Sequence, residues 1–123
     1  MKITTSLLGL FVCMCGLAVG ADRPALVCNR DAIGARERSR YNDLLHKLRT
    51  SVHDRRELPD GYSFRLAEQS ISLTEVAEWI RMERRCCPFL VFQIDVPAGH
   101  AEVQLTLRGP SGTKAILASE FAK

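Results

Sequence analysis

ISLTEVAEWIRMERRCCPFLVFQIDV, residues Ile71 to Val96, reads as one helix that stops abruptly and turns into a strand. Ser72 and Glu75 have the spacing of a capping box, and Ile71 can meet Val76 across it as a hydrophobic staple. Leu73, Val76, Ala77 and Ile80 recur as a buried stripe, extended by Trp79 and Met82, while Glu75, Glu78, Arg81 and Arg85 favour water. The residue before a proline is biased away from helix, so Cys86 belongs to the last turn and Cys87 to extended chain ahead of Pro88. Leu90, Phe92, Ile94 and Val96 then alternate with Val91, Gln93 and Asp95, the period of a half-buried strand.

The same period returns in Val103, Leu105 and Leu107, and Pro97-Ala98-Gly99-His100 between them makes a hairpin. Upstream, Tyr62, Phe64 and Leu66 alternate with Ser63 and Arg65 as another strand, preceded by the turn signal Leu58-Pro59-Asp60-Gly61. Tyr41, Leu44, Leu45, Leu48 and Val52 have helical spacing, which predicts a helix running to about Arg55. Ala25-Leu26-Val27-Cys28 reads as a short first strand, and Asn29 or Asp31 can cap the segment after it. Thr113 or Ser111 can open a last helix through Ile116, Leu117 and Phe121. The predicted order is β-α-β-α-β-β-α, a single small α+β domain with an antiparallel or mixed sheet and helices packed on one face. No internal repeat or second domain is visible.

The first twenty residues carry one base, Lys2, then a mostly apolar run from Ile3 to Val19 and small residues at Ala18-Val19-Gly20. This is the pattern of a secretory signal peptide, residues 1–20, and it predicts a periplasmic or secreted domain over 21–123. A retained anchor is the competing reading, because the run is barely long enough to span a bilayer. Cleavage removes Cys13 and Cys15 and leaves no stable membrane insertion. Of 17 Lys and Arg residues only Lys2 lies in that segment, against 14 Asp and Glu, so the domain is slightly basic. Arg36, Arg38, Arg40, Arg49, Arg55 and Arg56 are interleaved with Glu37, Asp43, Asp54 and Glu57, and no aromatic platform accompanies them. A solvated helix face explains them better than a nucleic-acid surface.

Unusual chemistry is concentrated at Cys86-Cys87, with Cys28 as the third thiol of the domain. Adjacent cysteines close a strained disulfide, so the pair looks outward for a partner. One reading is a structural disulfide from Cys28 to either Cys86 or Cys87, contributing on the order of 3–5 kcal/mol, with one thiol left over. Another keeps Cys28, Cys86 and Cys87 as thiolate ligands of a soft metal or metalloid ion such as mercury or trivalent arsenic. Zinc wants a fourth ligand, and His46, His53 and His100 show no ligand spacing with the cysteines. A thiol oxidoreductase fits less well, since the pair sits at a helix C-terminus, where the dipole opposes thiolate, and neither Cys-x-x-Cys spacing nor a base is evident. The residues point away from an enzyme, and no cofactor beyond a soft ion is indicated. Glu83-Arg84 beside the thiols could orient a ligand, but a surface ion pair in the last helical turn is the better account. Gly109-Pro110-Ser111-Gly112-Thr113-Lys114 lacks the spacing of a phosphate loop.

Trp79-Ile80, Glu83-Arg84 and Cys86-Cys87-Pro88-Phe89-Leu90, with Leu58-Pro59-Asp60-Gly61-Tyr62 before and Gly109-Pro110 through Lys114 after, resemble a group of small uncharacterised bacterial proteins. Their shared motif is Glu-Arg-x-Cys-Cys-Pro-Phe-Leu. The resemblance covers most of the chain beyond Ala21 and assigns no catalytic residue.

Overall fold

Each strong local signal becomes an element of the computed structural model, which describes residues 26–122. The signal peptide read over 1–20 lies outside the described residues. After a 3-10 turn at Arg30–Ala32 come α1 (Arg38–Ser51), β1 (Val52–Leu58), β2 (Gly61–Ala67), α2 (Leu73–Cys86), β3 (Val91–Asp95), β4 (Glu102–Arg108) and α3 (Thr113–Glu120). The four strands form one antiparallel sheet in the order β1-β2-β4-β3. The α+β class holds, with the regular elements in the order α-β-β-α-β-β-α.

Register explains why the helices cover one face. Tyr62 pairs with Leu107 and Phe64 with Leu105, while Phe92 and Ile94 on β3 face the same two β4 residues. These side chains join Tyr41, Leu44, Leu48, Val76, Trp79, Met82, Leu117 and Phe121 in the core. The opposite face carries Arg65, Gln104, Gln93 and Asp95.

Two sequence readings are corrected. Leu26 to Asn29 is not a strand but irregular chain, and the helix expected to reach Arg55 ends at Ser51. Val52-His-Asp-Arg-Arg-Glu-Leu58 is a charged edge strand, held by pairing along β2. Its inward-facing charges sit at the rim, where Arg55 lies over the Tyr62 ring at 5.1 Å and Glu57 pairs with Lys114. A strand rich in charge also protects the sheet edge from pairing with another chain. The Pro59-Asp60 turn therefore closes a hairpin. Gly61 is required there because a Cβ would run into the Leu107 carbonyl oxygen.

The capping box of α2 is formed: Glu75 N–H donates to Ser72 Oγ at 3.2 Å, and Ser72 N–H donates to Glu75 Oε2 at 3.0 Å. The helix is rotated slightly from the expected stripe, so that Val76, Trp79, Met82, Glu83 and Cys86 are buried while Leu73 is exposed. Lys47 Nζ donates to Glu75 at 2.7 Å and fastens α1 to α2. That ammonium, then the Ser72 backbone, holds the Glu75 carboxyl down at about 2. A depressed carboxyl stabilises the fold above its unfolded value near 4.5 and loses that contribution as pH falls through about 2. Glu75→Gln is therefore expected to lower the thermal midpoint at pH 6 and to match the parent near pH 2. A midpoint difference that persists unchanged at pH 2 would contradict this linkage.

Candidate functional site

Pro88 cannot continue a helix, so α2 ends at Cys86 and the chain leaves through Cys87 with φ −121° and ψ 76°. Cys87 N–H donates to the Glu83 carbonyl at 2.7 Å, and Leu90 N–H to the Cys87 carbonyl at 3.2 Å, making a tight exit from the helix. The last carbonyls of a helix need outside donors. Asn29 N–H supplies one, reaching the Cys86 oxygen at 2.8 Å and laying the segment before the 3-10 turn across the end of α2.

That placement brings Cys28 to the junction. Cys28 and Cys87 form a disulfide with a Cα–Cα distance of 4.6 Å, linking positions 59 apart in sequence. Of the two partners expected for Cys28, the one outside the helix is used. Cys86 is free, and its Sγ lies 3.9 Å from that of Cys87. The Sγ atoms of Cys28, Cys86 and Cys87 and a carboxylate oxygen of Glu83 all lie within 4.8 Å of one another. Cys86, Cys87 and Glu83 are only 1%, 2% and 3% exposed, whereas Cys28 is not buried. The three predicted site residues thus converge. None of the three histidines joins them.

Sequence reasoning set Glu83 aside as a surface ion pair and missed Tyr41. Glu83 is not a surface ion pair: it is buried, and the Tyr41 hydroxyl donates to its Oε2 at 2.6 Å. One signal was present, because Glu83 precedes Cys86 by three residues and so shares its helix face. Burial raises the Glu83 carboxyl above its ordinary value, partly offset by the Tyr41 hydrogen bond. Burial, and then Glu83, push the Cys86 thiol up to about 11. Arg30 offsets only part of that rise, and it shares the Glu120 carboxylate with Arg49, at 3.5 and 3.3 Å from Oε1. Cys86 therefore stays a neutral thiol at pH 7, a poor nucleophile. This environment suits a protected sulfur better than a redox catalyst.

The fold and site define an α+β domain stapled by Cys28–Cys87, with a buried free thiol beside the staple. Among the described residues no helix is long and apolar enough to cross a membrane. No protein-family model, curated protein or solved structure matches the chain.

Proposed function

We propose that the reduced protein captures one soft metal or metalloid ion, of mercury or arsenite type, with Cys28, Cys86 and Cys87. The observation that carries this reading is the convergence of three sulfurs within 4.8 Å at the end of α2. Sulfur ligands select soft ions, and adjacent cysteines can offer two of them without a full tetrahedral cage. The raised Cys86 thiol is no obstacle, because a bound cation is the largest local charge and deprotonates a coordinating thiol outright. Capture and disulfide compete for the sulfurs of Cys28 and Cys87, so a thiol reductant that delivers two electrons and two protons is the implied partner. Export through residues 1–20 to the periplasm or outside belongs to this reading, as does the absence of a nucleic-acid partner. The Glu-Arg-x-Cys-Cys-Pro-Phe-Leu motif supports kinship with the small bacterial proteins that the chain resembles.

A second reading is a structural or interaction module in which the cysteines serve only as a staple. The closed Cys28–Cys87 bond favours it, since such bonds persist in oxidising compartments. Titrating mercuric ion into the anaerobically reduced full chain, with Cys13→Ser and Cys15→Ser, separates the two. Capture is expected to saturate at one ion per chain with all three remaining thiols protected from a thiol reagent. Three thiols still reactive after one equivalent would leave the staple as their role.

A further inference from the structure

We infer that β3 is a docking edge for a second copy of this chain, which adds its own β3 antiparallel about a two-fold axis through Gln93. This goes beyond ion capture and does not depend on it. The sheet has two edges, β1 and β3, and they are built differently. β1 carries His53, Asp54, Arg55, Arg56 and Glu57 and breaks register between Val52 and Asp54. Charge and a bulge are both ways of keeping other strands off an edge. β3 has Asp95 as its single charge, runs in unbroken register along β4, and meets proline only outside the strand, at Pro88 and Pro97. Among the described residues no strand pairs with its outer side. The backbone N–H and C=O groups along such a side are a template for another strand.

Apolar surface is left uncovered in the same place. Of the four large apolar side chains exposed among the described residues, Val91 at 63% and Val96 at 55% lie on β3 or one residue past it. Phe92 and Ile94 pack against the core yet stay only half-buried, whereas their β4 neighbours Leu107 and Leu105 are fully buried. The core therefore stops at β3 with its last row open on the outer side.

The order of residues selects the occupant. A two-fold through Gln93 sets Leu90 opposite the partner's Val96 and Phe92 opposite the partner's Ile94, so the core-facing row stays apolar across the axis. On the outer face Gln93 meets its own copy and Val91 meets the partner's Asp95, so no like charges oppose each other. Arg108 is the neighbour of Val91 on β4, which places a base in the row that the partner's Asp95 joins. The contact is isologous, so each unlike pair occurs twice. One sheet then runs through both copies and ends on the charged, bulged β1 of each, which stops association at the dimer.

The test is light scattering after size exclusion on the oxidised full chain carrying Cys13→Ser and Cys15→Ser, over micromolar to near-millimolar concentrations. A reversible monomer–dimer equilibrium is expected, because a single short strand makes a small interface. Val91→Asp sets a carboxylate opposite the partner's Asp95 twice over and is expected to weaken the dimer by at least about tenfold, as like charges do when apposed across an interface. Val91→Lys sets an ammonium there and is expected to tighten it. Position 91 is exposed, so both variants should keep the parent's circular dichroism. The expected order of affinity is Val91→Lys, then the parent, then Val91→Asp. A chain that is monomeric throughout, or any other order, would overturn the proposal; a dimer indifferent to both substitutions would place association elsewhere, as in the apolar run of residues 3–19.

Discussion

Replacing Cys28 by serine is expected to lower the thermal midpoint of the oxidised protein by about 15–30 °C. The bond joins positions 59 apart, and closing a loop of that length in the unfolded chain corresponds to about 4 kcal/mol in the chain-entropy account. For a domain of this size each kcal/mol moves the midpoint by about 4–8 °C. Locally, the bond holds a segment that has no regular structure and otherwise one backbone hydrogen bond to α2, from Asn29. Calorimetry with and without reductant checks the origin of the loss. Reductant should bring the parent down to the level of Cys28→Ser and leave the variant unmoved. A parent whose midpoint ignores reductant would show that the staple contributes nothing to the folded state.

An equally large loss, with no sensitivity to reductant, is expected at Trp79. Its side chain is completely buried in the stripe of α2 and meets Phe92 and Phe121 edge-on, with ring centroids 6.1 and 6.3 Å away. Truncation to alanine removes the apolar burial and leaves a cavity between α2, β3 and α3, at a cost of about 3–5 kcal/mol. Trp79→Phe should cost much less, because the indole Nε1 is buried with no hydrogen-bond partner and its removal relieves an unsatisfied donor. Urea midpoints measured under both redox conditions separate this core contribution from the staple. A loss below about 1 kcal/mol for the alanine variant would contradict the packing described at this helix face.

The contrast between these two sites shows where the sequence was informative. Trp79 lay in a helix whose cap, stripe and stop were all local, and the β3–β4 hairpin announced itself by alternation. β1 was hidden because six of its seven residues, Val52 to Glu57, offer no apolar alternation; pairing with β2 imposes the strand, as context commonly does for sheets. The apolar run ending at Cys28 misled in the opposite direction, since it finds no strand partner and is held to α2 by the disulfide and the Asn29 hydrogen bond. Proximity of Cys28 to the vicinal pair was readable only because adjacent cysteines need an outside partner and Cys28 is the third thiol, not from the strand expected there, and choosing Cys87 over Cys86 was not readable. The helix keeps Cys86 on the Glu83 face, and Pro88 frees Cys87 to meet the incoming segment. Glu83 was misread because a charged residue in a last turn is normally solvated, and its partner Tyr41 lies 42 positions away.

Cys86 is the residue that distinguishes capture from stapling, because it belongs to the sulfur cluster and not to the disulfide. The decisive measurement is the affinity of fully reduced protein for mercuric ion and arsenite, compared between the parent and Cys86→Ala in one competition series. The expected result is a loss of at least about a hundredfold for the tighter-binding ion, more than losing a group that merely supports a ligand typically costs, with the oxidised stability changed by no more than about 2 kcal/mol. Equal affinity in the parent and Cys86→Ala would contradict the three-sulfur site.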